Sequence, residues 1–293
     1  MDAKKFYEEQ LAEWPAFKER VDQLAQVETR EFLLDGVKII AQHNPARVVS
    51  TGAKLDKASL AKRKCFLCAE NRPTEQRGLK MSERFTLLVN PFPILKEHFT
   101  IVCNEHCPQQ IKDFIGDLLD FAQMMPNHIV FYNGPRCGAS APDHLHFQAV
   151  AKGQLPLERE WRKCEKLELS EWGGNKMEQL MNFGRRCLHI QSQKKEAVIS
   201  HFNQLYTQYQ MREGGEEEPR MNLFVSYDVD TWHLFFFPRK EHRPKQYYAE
   251  DGTNRMISPG AIDMAGVVVL PRKEDFEALT IAELKDIFGQ VSL

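Results

Sequence analysis

The chain has 293 residues, 42% hydrophobic and 27% charged, with a formal net charge of -2. That balance fits a globular fold with a sizeable core and excludes bulk attraction to nucleic acid or to an anionic membrane. No apolar run approaches the ~18 residues of a membrane span, and the start MDAKKFYEEQ lacks the apolar core of a signal peptide. Seven cysteines without disulfide-framework spacing point to a reducing, cytoplasmic setting, where paired thiols bind metal more often than each other.

Residues 4–25 place Phe6, Leu11, Trp14, Phe17, Val21 and Leu24 at helical spacing among charges, which predicts a surface helix. Asp35-Gly36 between two apolar pairs predicts a hairpin over 31–40. The polar loop 42–54 carries Arg47 and Lys54; it reads equally as a solvated connection or as a contact to phosphate or base. Cys65 and Cys68 form a CxxC, which serves as half a zinc site, as a redox pair or as neither. Redox use wants a helix opening near a βαβ pattern, and none surrounds this one. From residue 84 the pattern becomes regular: strands at 84–90 and 98–104, a helix over 108–125, a strand at 128–134, then HLHFQAVA at 144–151. The alternation in that last segment sends Leu145, Phe147 and Ala149 into the core. His144, His146 and Gln148 then share the opposite face, roughly 7 Å apart along the strand.

The second half repeats the plan, with a strand at 187–192, a helix over 194–211 and strands at 221–228 and 232–239. HLFFF at 233–237 aligns with HLHFQ at 144–148, keeping the first histidine and replacing His146 and Gln148 with phenylalanine. The expectation is an α+β fold of duplicated strand-helix-strand-strand units forming an extended antiparallel sheet with helices packed on it. Residues 1–151 are read as the catalytic half and 152–293 as a degenerate copy. Residues 152–186 read as charged and irregular, 265–271 as a strand. The final helix, from 280, barely begins to repeat its apolar face before the chain stops, which reads as an abrupt or truncated end.

Cys65, Cys68, His106 and His144 together would make a closed Cys2His2 site, with Cys103 and Cys107 as rival ligands. Four protein ligands leave no open position, so the metal, zinc, is expected to be structural and to pin the strand bearing His146. His146 is then a neutral imidazole able to attack phosphorus, provided its other nitrogen is tied to a carbonyl or carboxylate. Gln148 can hydrogen-bond a phosphate oxygen. Asn133, Ser140 and the backbone N–H groups at Gly138–Ser140 can hold the others. A cation must meet the leaving phosphate, and Arg47, Lys54, Arg136, Arg239, Lys240 and Arg243 are the candidates.

The segments CFLCAEN, NPFP and YNG…GASAPDHLHFQ resemble the histidine-triad (HIT-like) superfamily in its transferase branch: galactose-1-phosphate uridylyltransferases, diadenosine tetraphosphate phosphorylases and GDP-hexose phosphorylases. The resemblance implies zinc ligands at Cys65, Cys68, His106 and His144, a nucleophile at His146, a family glutamine at Gln148 and a phosphate-side asparagine at Asn133. HLHFQ, where the uridylyltransferases carry HPHGQ, and the run SPGAIDMAGVVVLPRKEDFE at 258–277 are nearer the GDP-hexose phosphorylases. A second metal site found in the uridylyltransferases has only His233 to support it here. A glutamine where the hydrolases carry a third histidine favours transfer over hydrolysis.

These readings predict a nucleotidyltransferase that acts through a nucleotidyl-histidine, with a nucleoside-diphosphate hexose as donor and phosphate as acceptor. Its rivals are uridylyl transfer to a hexose phosphate, phosphorolysis of a dinucleoside polyphosphate, and a zinc-stabilised nucleotide-binding module without turnover. Arg47, Lys54 and Arg239 are the cations assigned to substrate. No nucleic-acid or membrane partner is expected, and a homodimer is expected by analogy with the fold.

Overall fold

The computed structural model describes residues 2–52 and 57–293. Its centre is a sheet of ten strands covered on both faces. The chain enters through two helices, Ala3–Glu13 and Pro15–Leu24, where one helix over 4–25 was expected. Pro15 has no N–H to continue the first helix and its ring blocks the preceding turn, so it opens the second instead. β1 (Glu28–Leu34) and β2 (Val37–His43) then pair across the tight turn Asp35-Gly36, both in the left-handed region, at φ 51° and 84°.

The sheet proper contains β3 (Leu79–Lys80), β4 (Phe85–Val89), β5 (Phe99–Cys103), β6 (His128–Asn133) and β7 (His146–Ala151) from the first half. β8 (Lys166–Trp172), β9 (Asn175–Leu180), β10 (Leu188–Ser192), β11 (Met221–Asp228) and β12 (Thr231–Pro238) follow from the second. β13 (Val267–Leu270) leaves this sheet and pairs parallel with β2, giving a separate three-stranded sheet. The large sheet runs β3-β4-β5-β7-β6-β11-β12-β10-β9-β8, all antiparallel. Read outward from the β6–β11 pairing, the two flanks have the same connection order. Helix Ile115–Met124 joins β5 to β6, and helix Lys195–Arg212 joins β10 to β11.

Two cores flank the sheet. Phe85, Phe99, Phe147, Leu223 and Phe236 pack against the two long crossover helices and the N-terminal pair. Phe131, Phe224, Phe235 and Phe237 point the other way, under β1, β2, β13 and helix Ile281–Val291. With both faces buried, β11 and β12 read as continuous apolar runs rather than alternating ones. Two further expectations are corrected. The helix read over 108–125 begins at Ile115, after a 3-10 turn at Lys112–Phe114, because the Ile111 N–H and the Gln109 side chain are engaged elsewhere in the fold. Residues 152–186 are not irregular: they form helix Leu157–Lys163 and the β8–β9 hairpin, closed by Gly173 and Gly174 at φ 58° and 81°. No described helix is long and apolar enough to cross a membrane.

Candidate active site

β7 begins at His146, two residues later than the alternation implied. Leu145, Phe147 and Ala149 are buried among the crossover helices, and His146 and Gln148 face the opposite layer. The strand is held at its start by a side chain. Gln109 Oε1 accepts the His146 N–H at 2.8 Å, and its Nε2 donates to the carbonyls of Asn133 (2.9 Å) and His146 (3.0 Å). Gln109 thus replaces the backbone ladder between the ends of β6 and β7, and keeps Asn133 beside His146.

The His146 ring is 3% exposed. Its Nδ1 lies 2.8 Å from the His144 carbonyl, which can only accept, so Nδ1 carries the proton. Nε2 is left with its lone pair. It has no hydrogen-bond partner among the described residues, and it is not among the partnerless atoms sealed from solvent. Burial pushes the imidazole down to about 4, with the His144 carbonyl opposing, so the ring is neutral near pH 7.

Gln148 is aimed by a residue the sequence reading passed over. His98 is buried, and its Nδ1 accepts the Ile94 N–H at 3.2 Å. Its proton therefore sits on Nε2 and is donated to Gln148 Oε1 at 2.8 Å. Burial holds His98 down at about 3, against the Gln148 bond, with the Arg47 charge adding to the depression. The Gln148 amide oxygen is thereby occupied and its NH2 turned away. Asn133 Oδ1 likewise accepts, from the Ala261 N–H at 2.7 Å. Gly138 adopts φ +99°, and a Cβ there would stand 2.7 Å from the Gly260 Cα and 3.0 Å from Asn133 Oδ1. The loop before β7 is pressed that closely onto the segment leading into helix Ala261–Met264. Ser140, on the same loop, is exposed.

The cations separate by what holds them. Arg47 ends a 3-10 turn and donates to the Phe92 carbonyl at 3.0 Å, and its charge is felt by both His98 and Asp263. Burial lowers it to about 10, which leaves it charged. Lys54 lies outside the described residues. Arg239 is not placed as a substrate cation. It is fully buried and donates to Asn222 Oδ1 and to the carbonyls of Val291, Glu241 and His242. Arg136 pairs with Glu213 and Glu217 at 2.8 and 3.0 Å, and Arg243 donates to Ser258 Oγ at 2.9 Å beneath Tyr247.

Cys65, Cys68, His106 and His144 bring four ligand atoms within 4.8 Å of one another. Cys65 Sγ is 3.3 Å from His144 Nδ1; Cys68 Sγ is 3.3 Å from His106 Nδ1 and 3.6 Å from His144 Nδ1. Ligands bound tetrahedrally at about 2.0–2.3 Å stand about 3.5 Å apart, so the set fits a zinc-sized ion. His144 is prepared for that role, because its Nε2–H donates to the Cys103 carbonyl at 2.8 Å and leaves Nδ1 as the ligand. Cys103 and Cys107 are not part of the cluster. His144 therefore faces two ways: its ring lies in the cluster, and its carbonyl fixes the tautomer of His146.

Two family models match the chain end to end in sequence. Residues 6–151 match "Domain of unknown function (DUF4922)", and residues 160–293 match "GDPGP1-like, C-terminal domain". The crystal structure of yeast Ap4A phosphorylase Apa2 superposes with a TM-score of 0.66 at 16% identity, over 91% of this chain and 90% of that one. At 16% identity this likeness shows a shared fold. The α+β architecture with its two-flanked antiparallel sheet agrees with that fold. The same yeast protein in complex with Ap4A gives a TM-score of 0.63, again at 16% identity over 91% and 90% of the two chains. Bound to AMP it gives 0.60, at 16% identity over 95% and 96%. No curated protein sequence matches the chain.

Proposed function

We propose that the protein is a nucleotidyltransferase that works by double displacement through a nucleotidyl-His146 intermediate. The observation that carries this is the His146 ring itself. It is neutral, its proton is fixed on Nδ1 by the His144 carbonyl, and its Nε2 keeps a lone pair with no hydrogen-bond partner among the described residues, on the strand face it shares with Gln148. In the first step Nε2 attacks the α-phosphorus of the donor. The bond from that phosphorus to its bridging oxygen breaks, and the distal phosphate-bearing fragment leaves. The imidazolium so formed keeps its Nδ1–H on the His144 carbonyl. In the second step an acceptor oxygen attacks the same phosphorus, the P–N bond breaks, and neutral His146 returns.

Gln148 and Asn133 supply N–H donors to the phosphoryl oxygens, whose charge grows as the bond to nitrogen forms. An amide at position 148 neither takes nor gives a proton, so it does not activate water as a third histidine would. That supports transfer to phosphate over hydrolysis. Arg47 supports the leaving phosphate. The four-ligand cluster suits a structural zinc ion, which would fix the loop around Cys65 and Cys68 and the start of β7 and supply no chemistry. In the alignment of HLFFF (233–237) with HLHFQ (144–148), phenylalanine replaces His146, which supports reading residues 152–293 as a copy without its own nucleophile.

The donor we favour is a nucleoside-diphosphate hexose with inorganic phosphate as acceptor. The match of the second half to a GDPGP1-like domain and the SPGAIDMAG segment support it. A dinucleoside polyphosphate is the rival, raised by the fold shared with yeast Ap4A phosphorylase over 91% of the chain. Intact-protein mass spectrometry after incubation with GDP-, ADP- and UDP-hexoses and Ap4A separates them. The expected result is one added nucleoside monophosphate from a GDP-hexose, discharged by phosphate to the nucleoside diphosphate. Absence of an adduct with every donor would overturn the proposal in favour of a binding module.

A further inference from the structure

Asn133, Asn222 and Arg239 form a row leading away from His146 across β6 and β11 into the second half. Asn133 and Asn222 are register partners on adjacent strands. At the far end, Arg239 is anchored by its Nε to the Val291 carbonyl at 2.9 Å and by its Nη2 to the carbonyls of Glu241 and His242 at 3.1 and 3.2 Å. Its Nη1 donates to Asn222 Oδ1 at 2.6 Å. A guanidinium has only donors, so the oxygen of Asn222 must face it. Asn222 Nδ2 must then face the other way, where it donates to the Cys137 carbonyl at 2.8 Å and to Asn133 Oδ1 at 3.1 Å. The Ala261 N–H, also purely a donor, meets the same Asn133 oxygen at 2.7 Å. Asn133 is therefore held in one amide orientation by two donors. Its own Nδ2 has no partner among the described residues and is not sealed from solvent. Reversing the amide would set N–H groups against N–H groups at both contacts.

We propose that Asn222 and Arg239, from the half that lacks a nucleophile, are positioning residues that act through Asn133 to present its NH2, and not its oxygen, to the phosphoryl group. This rests on the nucleotidyl-transfer reading above. The second half then completes the active site by orientation, without touching substrate. Neither residue is near the HxHxQ motif in sequence, and both side chains are fully buried.

The test is a double-mutant cycle on the single-turnover rate of adduct formation, with GDP-glucose as donor and Ap4A as a second probe. Asn222→Asp keeps the Arg239 contact but sets a carboxylate oxygen against Asn133 Oδ1, so one of the two donors holding the amide becomes a repelling acceptor and only the Ala261 N–H still favours the productive orientation. The rate should fall about 10- to 100-fold, less than the outright loss of an oxyanion donor would cost, while nucleotide affinity shifts by less than about 3-fold. In an Asn133→Ala background the same substitution should cost less than about 2-fold, because nothing remains to orient. Equal losses in both backgrounds would make Asn222 merely structural and overturn the inference, as would an unchanged rate in Asn222→Asp. If the Asp variant fails to fold, Asn222→Ala enters the same cycle with the same criteria. A wild-type protein that forms no adduct overturns the nucleotidyl-transfer reading instead, which separates the two failures.

Discussion

Replacing His98 with leucine removes one acceptor and one donor from a sealed site while roughly preserving volume. The Ile94 N–H, now 3.2 Å from Nδ1, loses its acceptor in a buried position, and Gln148 Oε1 loses a donor at 2.8 Å. An unpaired buried N–H costs about 1–3 kcal/mol, so a deficit of about 2 kcal/mol is expected at pH 8. That deficit is pH-dependent with a definite sign. Folded His98 titrates at about 3, against 6.5 for the ordinary group, chiefly because burial disfavours its charged form. Between those values the unfolded chain holds the extra proton, so wild-type stability is lost as pH falls below 6.5. From pH 8 to pH 5 this amounts to about 2 kcal/mol, at 1.36 kcal/mol per unit. Leucine has no such proton, so denaturant unfolding should show the variant's deficit shrinking by about 2 kcal/mol at pH 5. At pH 8 the adduct should form about 10-fold more slowly, the effect of about 1.4 kcal/mol from an unrestrained Gln148 amide. A deficit constant with pH, together with an adduct rate within 2-fold of wild type, would refute both the buried neutral state of His98 and its hold on Gln148.

Glu218 behaves with the opposite sign. Burial raises its carboxyl to about 7, against hydrogen bonds from the Tyr132 hydroxyl and the Ile111 N–H. The stability it contributes is present below 4.5 and is lost as pH rises through about 7, by about 3 kcal/mol in all. Glu218→Gln should therefore gain on wild type in melting temperature between pH 5 and pH 8, and parallel curves would contradict this. Elemental analysis should find one zinc ion per chain. Cys68→Ser should reduce that content at least tenfold and lower the melting temperature by at least about 5 °C, since three loops lose their common anchor. Gly138→Ala should destabilise by more than Gly153→Ala, although both sit at positive φ. A Cβ at Gly153 meets nothing within 4 Å, whereas one at Gly138 strikes the Gly260 Cα at 2.7 Å. The control should lose only the backbone term of about 1 kcal/mol, by thermal melting.

Much of the sheet is legible because its signals are local. Asp35-Gly36 dictates the β1–β2 turn, and HLHFQAVA sorts its side chains between two faces. The β8–β9 hairpin was legible too, since Gly173-Gly174 follows an alternating KLELSEW, but the charges there hid it. Other features have no local signature. Gln109 acts by bridging Asn133 and His146, 24 and 37 residues away. His98 matters because its second nitrogen reaches Gln148, 50 residues on. The cations could not be ordered for the same reason: Arg47 and Arg239 look alike in sequence. The chain buries one under a carbonyl cage and leaves the other within electrostatic reach of His98.

The central claim is that His146 Nε2 bonds to phosphorus. Mapping the labelled peptide after trapping the protein with its donor tests it directly. The account predicts an acid-labile nucleotidyl group on His146, stable to alkali as a P–N bond is, and absent in His146→Ala protein that still melts cooperatively and keeps its metal. A label on any other residue, or undiminished turnover in that variant, would contradict it.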